Sequence, residues 1–205
     1  MTEFHAGCRS CPRLASHLKQ IRKEHPDYYA APVPAFGDAE PRLLIVGLAP
    51  GMHGANRTGR PFTGDTSGEL LYRTLFELGL ASAPASKYAD DELQLHGVRI
   101  TNAVKCLPPQ NKPKSSEISN CLPYLQSEIA SLPGECNLLA LGRVAHDAVQ
   151  RAYSLKLNSH NFAHGARHVL PDGRTLIDSY HCSRYNTQTG RLTAEMFRKV
   201  VLEAV

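Results

Sequence analysis

The sequence predicts an α/β fold, a three-layer α/β/α sandwich built around a four-stranded parallel sheet. Four short apolar runs are spread along the chain. Most of them are apolar at their centres, as is typical of parallel strands that helices cover on both faces. Helical patterns alternate with these runs, and strands that alternate with helices favour a parallel sheet between two helical layers.

The predicted elements follow directly from these patterns. The four strands are expected at residues 42–47, 98–102, 137–141 and 175–180. Helices are expected at residues 14–24, 67–78, 115–132, 143–152 and 193–204. In the second of these helices, the apolar face is made mainly of leucines at helical spacing, namely Leu70, Leu71, Leu75 and Leu78.

Length and charge set broad limits on the protein. A chain of 205 residues fits one domain, taken as residues 1–205. It is long enough to bury a full core without disulfides. The net charge of +4 is mildly basic, which permits a phosphate-bearing partner without requiring one.

The sequence gives no sign of membrane insertion or export. No apolar run approaches the roughly 20 residues that a membrane helix needs, and the first residues, MTEFHAGCRS, do not resemble a signal peptide. We therefore expect a cytoplasmic protein that makes no membrane contact. Thiols stay reduced in that compartment, so its six cysteines are expected to be ligands or core residues rather than disulfides.

Four of the cysteines have a spacing that favours metal binding. Cys8 and Cys11 form a CxxC pair, and Cys106 and Cys121 follow with fourteen residues between them. Four thiolates suit either zinc or an iron–sulfur cluster, although the second pair is too far apart for a zinc ribbon. The remaining two cysteines have no partner at ligand spacing and are expected to be free thiols; these are Cys136 and Cys182.

The loop after the first predicted strand is rich in glycine. It reads GLAPGMHGANRTGRPFTGDTSG over residues 47–68 and contains six glycines, so its backbone can approach a ligand closely. Residues 54–59 have the glycine spacing of a phosphate-binding loop. Arg60 and Pro61 replace the lysine and hydroxyl residue that such a loop requires, which argues against a nucleotide-dependent hydrolase.

Several side chains of this loop are candidates for a site, because ligands bind beyond the carboxyl ends of parallel strands. Arg57 and Arg60 are positive, and Phe62 offers either a stacking platform for a base or a plug for the core. Asp65 is the lone carboxylate of the loop, and it precedes a helix, so it is either a site residue or an N-terminal cap.

A second polar loop follows the fourth predicted strand. His181 lies just past the strand, at the binding edge of the sheet. The residues after it, SRYNTQ, include Arg184 and Tyr185 and offer hydrogen-bonding and stacking groups. Such a run suits contact with a phosphate backbone and an opened base stack, and a solvated loop is the alternative.

Three segments together resemble one family. They are GLAPGMHGANRTGRPFTGD, ITNAVKCLPP and SYHCSRYNTQTGRLT. With the four spaced cysteines they resemble the family 5 uracil-DNA glycosylases, prokaryotic enzymes related to the iron–sulfur glycosylases of family 4. The resemblance extends over residues 8–193.

The resemblance implies a monofunctional enzyme that hydrolyses the N-glycosidic bond of uracil in DNA and so initiates base excision repair. It also implies a wider range of deaminated bases, such as hypoxanthine or xanthine. A structural [4Fe-4S] cluster would be bound by the four spaced cysteines. We expect a monomer whose partner is DNA that contains such a base.

Site roles carry over by matching motifs. His181 matches the motif histidine, expected to donate to the leaving base, Asn102 matches an asparagine near the base, and Phe62 matches the stacking aromatic. Ala49 and Gly51 are expected beside the base. Ala49 stands where many related glycosylases carry a water-activating group, which leaves Asp65 or Asn56 for that role.

Two further expectations concern the surroundings of this site. Cys182 replaces the proline usually found after the motif histidine. The DNA contacts are expected from four basic side chains and one aromatic, namely Arg57, Arg60, Lys114, Arg184 and Tyr185. The alternative to an enzyme is a non-catalytic DNA-binding module with a structural metal, and a base-release assay on uracil-containing DNA separates the two.

Overall fold

The computed structural model of the protein describes residues 3–205 and contains one six-stranded mixed sheet. Its strands are β1 (Phe36–Gly37), β2 (Leu43–Gly47), β3 (Val98–Asn102), β4 (Asn137–Leu141), β5 (Arg167–Val169) and β6 (Thr175–Ser179). Their spatial order is β1-β3-β2-β4-β6-β5. The four central strands run parallel and lie where the sequence predicts them.

The prediction of four strands is too low, because two short edge strands were missed. β1 pairs antiparallel with β3, and β5 pairs antiparallel with β6. These edge strands have two and three residues, and neither is apolar throughout its length. Sequence patterns detect buried strands, so short and largely exposed edge strands leave little signal.

The helices are α1 (Pro12–Glu24), α2 (Ala55–Thr58), α3 (Thr66–Glu77), α4 (Ser115–Ala130), α5 (Arg143–Ala152), α6 (Arg184–Gln188) and α7 (Ala194–Ala204). Five of them match the predicted helices to within a few residues. The other two, α2 and α6, are single turns inside the two polar loops. None of the helices in residues 3–205 is both long and apolar enough to cross a bilayer.

The sheet separates two layers of helices, which confirms the predicted sandwich. Side chains of β2 alternate between the two faces, because successive residues of a strand point to opposite sides. Ile45 packs in the cluster that includes Leu71 of α3 and Phe197 of α7. Val46 packs in the other cluster, with buried side chains of α4 and α5 such as Leu125 and Val149.

The N-terminal helix lies against the loop that follows β3 and against α4. Leu14 of α1 packs with Val104 and Cys121, and all three side chains are buried. Arg13 forms a bidentate ion pair with Glu117, with both nitrogen–oxygen distances at 2.7 Å. This packing brings the first CxxC pair to the two distant cysteines.

Candidate active site

A cavity of about 520 Å³ opens at the carboxyl ends of the parallel strands. The segments after β2, β3 and β6 all contribute to its wall, as expected for a ligand site of a parallel sheet. The predicted site residues that line it are Ala49, Gly51, Phe62, Asp65, Asn102 and His181. The structure therefore brings together six of the seven residues that the sequence assigned to catalysis or base binding.

Asn102 is the last residue of β3 and is only 3% exposed. Its Oδ1 atom is buried and has no hydrogen-bond partner among the described residues. A lost partner at a buried acceptor costs about 1–3 kcal/mol, so this atom calls for a donor from a ligand. Asn102 therefore indicates that the cavity binds a ligand with a hydrogen-bond donor.

Gly47, the residue beside Asn102 in the sheet register, keeps this region open. A Cβ atom on Gly47 would lie 2.4 Å from Asn102 Oδ1 and 2.7 Å from the ring of Phe62. Both distances are too short for any side chain. The absence of a side chain at position 47 is therefore what allows the amide and the aromatic ring to stand close together.

Phe62 is held in a backbone conformation that most residues avoid, with φ of +54°. The neighbouring helix α3 fixes it there: the Tyr72 hydroxyl donates to the Pro61 carbonyl at 2.8 Å, and a Cβ atom on Gly68 would lie 1.7 Å from the Phe62 carbonyl oxygen. The side chain is 7% exposed and belongs to the core, yet its ring also lines the cavity. The interpretation of Phe62 as a core residue is therefore confirmed, and its ring also lies where a base in the cavity could stack on it.

The two carboxylate oxygens of Asp65 lie in different surroundings. Oδ1 accepts a hydrogen bond from the Gly68 backbone N–H at 2.9 Å and caps α3. Oδ2 lies towards Gly51 and Gly54 on the wall of the cavity. Burial raises the pKa of this carboxyl, while the backbone N–H groups of Gly68 and Ser67 act in the opposite direction.

His181 follows β6, and its ring lies 6.0 Å from the Phe62 ring, centroid to centroid, with 28° between the planes. Burial lowers the pKa of His181 to about 4, so the imidazole is neutral at pH 7. Asn186 Nδ2 donates to the His181 carbonyl at 2.8 Å and fixes the backbone. Within residues 3–205, no hydrogen bond engages the ring nitrogens, which leaves them available to a ligand.

Among the residues predicted for catalysis or base binding, Asn56 is the one that does not line the cavity. It lies in α2, is fully buried and donates weakly from Nδ2 to the Met52 carbonyl at 3.5 Å. We therefore correct its assignment from water positioning to the loop framework. Eight other residues line the cavity and were not assigned to catalysis or base binding from the sequence, namely Leu48, Met52, His53, Gly54, Ala55, Ser67, Asn111 and Ser183. Of these, Asn111 has a left-handed backbone with φ of +55°, a conformation that sequence patterns do not reveal.

A second, much smaller cavity of about 20 Å³ is lined by Cys8, Cys11, Cys106 and Cys121. Pairs separated by about a hundred residues in sequence therefore meet at one point. The Lys105 backbone N–H donates to Cys121 Sγ at 3.3 Å, and Asn120 Nδ2 donates to Cys11 Sγ at 3.6 Å. Such donors stabilise thiolates and orient metal ligands. All six cysteines of the chain are free of disulfides.

Comparison with known proteins agrees with this geometry. Residues 34–204 match the model of the uracil DNA glycosylase superfamily. The type-5 uracil-DNA glycosylase of Thermus thermophilus is 51% identical over 203 residues, which cover 97% of this chain and 92% of the relative. The chain belongs to the type-5 uracil-DNA glycosylase family. Another type-5 enzyme, from Pyrobaculum aerophilum, is 42% identical over 202 residues, which cover 97% of this chain and 88% of the relative.

Type-4 relatives are more distant. The type-4 uracil-DNA glycosylase of Saccharolobus solfataricus is 31% identical over 175 residues, covering 82% of this chain and 74% of the relative. The family assignment confirms the resemblance seen in the sequence. In this type-5 member, Cys182, which stands where a proline is usual, is fully buried in the core next to the motif histidine.

Four of the five side chains expected to contact DNA lie at the surface of the protein. Lys114, Arg184 and Tyr185 are exposed, and Arg57 is partly exposed. Arg60 is different: its side chain is buried, pairs with Asp91 at 2.6 Å and stacks over the ring of Phe36. The prediction of a phosphate contact for Arg60 is therefore wrong, because its guanidinium is already paired inside the protein.

A histidine and aspartate network lies behind the site and was not predicted. Asp178 of β6 is fully buried, and its two oxygens lie 2.7 Å from His146 Nδ1 and 3.0 Å from His168 Nε2. The three side chains are close enough to hold a metal ion. Both carboxylate oxygens already have imidazole partners, so we interpret the network as an anchor that joins α5 and β5 to the strand leading to His181.

Proposed function

We propose that this protein hydrolyses the N-glycosidic bond of uracil in DNA, releases the base and leaves an abasic site. The observation that supports this most directly is the buried, unpartnered Oδ1 atom of Asn102 in the cavity. The reaction would initiate base excision repair. A base inside a duplex cannot reach such a cavity, so the nucleotide must first be extruded from the stack.

Recognition of the extruded base rests on Asn102 and Phe62. The edge of uracil presents an N–H beside a carbonyl, and a carboxamide side chain offers the complementary acceptor and donor. Asn102 Oδ1 would accept from the uracil N3–H and Nδ2 would donate to the adjacent oxygen. The Phe62 ring would stack on the base. A site with a buried acceptor rejects bases that leave it unpaired.

The same edge supports a wider substrate range. Hypoxanthine and xanthine also carry an N–H beside a carbonyl, because deamination replaces an amino group by an oxygen and protonates the neighbouring ring nitrogen. Asn102 would accept from this N–H as it does from uracil. The cavity of about 520 Å³ has room for a purine as well as a pyrimidine. We therefore include other deaminated bases among the proposed substrates.

Bond cleavage places negative charge on the base, and His181 is suited to stabilise it. As the C1′–N1 bond breaks, its electron pair leaves with uracil and charge accumulates on the O2 atom. A neutral imidazole donates one N–H to that oxygen without transferring the proton first. Fixed donors aimed at developing charge provide much of the rate enhancement in such sites, and the low pKa of His181 keeps it in the neutral form.

Water attack is assigned to Asp65. The water oxygen forms a bond to C1′, and Asp65 Oδ2 accepts the proton that the water releases. Before attack, the negative carboxylate also stabilises the positive charge that develops on the sugar. The pKa raised by burial makes Asp65 a better proton acceptor than an exposed carboxylate. Ala49, with its small side chain on the same wall, leaves space for this water.

We also propose that Cys8, Cys11, Cys106 and Cys121 hold a [4Fe-4S] cluster. The four thiols converge on one point, and backbone and amide donors face two of the sulfurs. Four thiolates suit either zinc or an iron–sulfur cluster, and the spacing of Cys106 and Cys121 is unlike that of a zinc ribbon. When bound, it would act as a structural crosslink.

The remaining proposals concern the DNA complex. The exposed side chains of Lys114 and Arg184, with the partly exposed Arg57, provide positive charge for phosphates near the cavity. Tyr185, 70% exposed, lies beside Arg184 and is available to contact bases or sugars. We propose that one copy of the chain is enough for this function, since every residue assigned to the site comes from a single chain.

The deciding experiment is base release from defined duplexes. Duplexes that carry uracil, hypoxanthine or xanthine are incubated with the wild-type protein and with Asn102→Ala, and abasic sites are detected by alkaline strand cleavage. We expect cleavage with the wild type and a large loss with the variant on every base that presents the N–H edge. Binding of uracil-containing DNA without any base release would instead identify a non-catalytic DNA-binding module.

A further inference from the structure

A third cavity, of about 240 Å³, adjoins the active-site cavity and shares Asp65 with it. Its wall is formed by the end of α2, the first turn of α3 and the loop before Asp91. The groups that characterise it are Arg57, Lys87, Tyr88 and one further carboxylate, Glu69. Asp65 lines both cavities, so a ligand bound in the first has the second cavity on the other side of this carboxylate.

The guanidinium of Arg57 is positioned by its neighbours and still has free donors. Nε donates to the His53 carbonyl at 2.8 Å and Nη2 donates to the Lys87 carbonyl at 3.3 Å. These bonds use two of five N–H groups, so three remain for a ligand. Gly64 leaves the space that this arrangement needs: a Cβ atom there would lie 2.3 Å from Arg57 Nη2.

Tyr88 provides an aromatic surface on the same cavity. Its side chain is 57% exposed, and the Arg57 guanidinium carbon lies 5.7 Å from the ring centroid. The backbone that carries this ring is held by Asp91. The Oδ2 atom of Asp91 accepts hydrogen bonds from the Tyr88 backbone N–H at 3.3 Å and from the Lys87 backbone N–H at 2.9 Å. Asp91 is in turn paired with the buried Arg60.

We infer that this cavity is a subsite for the nucleotide next to the extruded one. The inference rests on the proposed function, which places the sugar of the extruded nucleotide at Asp65. The neighbouring phosphate would meet Arg57 and Lys87, and the neighbouring base would stack on Tyr88. Two carboxylates, Asp65 and Glu69, also line the cavity, so the phosphate is expected beside Arg57 and Lys87, on the wall that carries Tyr88. An aromatic ring beside two positive side chains suits a ligand that has both a planar base and a phosphate, as a nucleotide does.

The test uses a fluorescent base at the proposed position. Oligonucleotides carry 2′-fluoro-2′-deoxyuridine, which resists hydrolysis, with 2-aminopurine either 5′ or 3′ to it. Wild-type protein and the variants Tyr88→Ala and Tyr88→Phe are compared, with Phe76→Ala as an aromatic control. Phe76 is 44% exposed on α3 and lines neither cavity.

We expect wild-type protein and Tyr88→Phe to quench 2-aminopurine on one side of the lesion only, and Tyr88→Ala to lose that quenching. Affinity for the oligonucleotide should fall by about fivefold or more in Tyr88→Ala, the effect of losing one stacked base. Lys87→Ala should lower the salt slope of binding by about one unit. Phe76→Ala should behave as wild type.

The outcomes separate this subsite from the proposed function. If wild-type protein releases no base from uracil-containing DNA, the proposed function fails. A second outcome overturns the subsite but leaves the glycosylase activity standing. In that outcome the wild-type protein releases uracil normally, and Tyr88→Ala matches the wild type both in DNA affinity and in the quenching of 2-aminopurine placed 5′ or 3′ to the lesion.

Discussion

Gly54 lies directly against the free oxygen of the Asp65 carboxylate. A Cβ atom on Gly54 would be 2.2 Å from Asp65 Oδ2 and 2.7 Å from the carboxyl carbon. Any side chain at this position would push the carboxylate away from the cavity wall. The glycine-rich loop therefore serves the carboxylate as well as the substrate, because it leaves the volume that Asp65 occupies.

Gly54→Ala is expected to slow the chemical step by about a hundredfold while DNA binding stays nearly unchanged, because a displaced catalytic group loses its alignment. Single-turnover rates and binding isotherms measure the two effects. Gly134→Ala is the matched control, since a Cβ atom there meets nothing within 4 Å. Equal activity of the two variants would contradict the placement of Asp65.

The two roles of Asp65 can be separated by two substitutions. Asp65→Asn keeps a capping oxygen for the Gly68 N–H, so stability should be retained while base release is lost. Asp65→Ala should lose both, with about 1 kcal/mol less stability. Thermal melts alongside single-turnover rates distinguish the variants. Full activity of Asp65→Asn would show that the carboxylate is a cap only.

The pH dependence of base release should also report Asp65. Burial raises the pKa of this carboxyl, and activity requires the ionised form. The rate should therefore fall as the pH drops through a value above the usual range of an aspartate. Any residual activity of Asp65→Asn should lack this acid limb, whereas His181→Ala should keep it at the same position.

His181→Ala is expected to lower the single-turnover rate roughly a hundred- to thousandfold with little change in DNA affinity, because it removes one donor to the leaving base. Its effect on stability should have a definite sign. The unfolded chain protonates this histidine near pH 6.5 and the folded chain only near pH 4. Wild-type stability therefore falls between these values as pH drops, and the variant should lose less stability there. A rate unchanged by the substitution would remove His181 from the chemistry.

Much of the fold and the site could be predicted because the decisive signals are local in sequence. The buried parallel strands are continuous apolar runs, and the residues after them share one edge of the sheet. That rule alone brings Asn102 and His181 together. The resemblance to a known family then assigns their roles.

What could not be predicted depends on contacts between distant segments. Arg60 reads as a surface cation, yet its partner Asp91 lies thirty-one residues away, and nothing in the local pattern indicates the pair. Asn56 is polar within a loop, but α2 turns it inward. Asn111 joins the cavity through a left-handed turn at Gln110 and Asn111 that no apolar pattern signals.

Cys106→Ser and Cys121→Ser should lose iron and reduce the soluble yield, because bound metal stabilises the folded chain. The purified wild-type protein should be yellow-brown with about four irons per chain. Cys136→Ala is the control, since Cys136 is buried in the core apart from the cysteine cavity. One zinc and no iron in the wild-type protein would contradict the cluster.

The charged residues should divide into two classes in a salt titration. Arg184→Ala should lower the slope of log affinity against log salt by about one unit, as expected for one lost phosphate contact. Arg60→Ala should leave the slope nearly unchanged and instead cost roughly 3 kcal/mol of stability, because it leaves Asp91 without its partner. The reverse pattern would restore Arg60 to the DNA interface.

The short outer strands have a consequence for how copies of this chain behave when crowded along DNA. The sheet ends in a strand of two residues on one side and three on the other. An intruding strand would therefore find only a few free backbone groups at either margin, and pairing over so short a length is not self-sustaining. The short edge strands therefore protect the sheet against the addition of further strands. They also disfavour aggregation of neighbouring copies by edge-to-edge pairing.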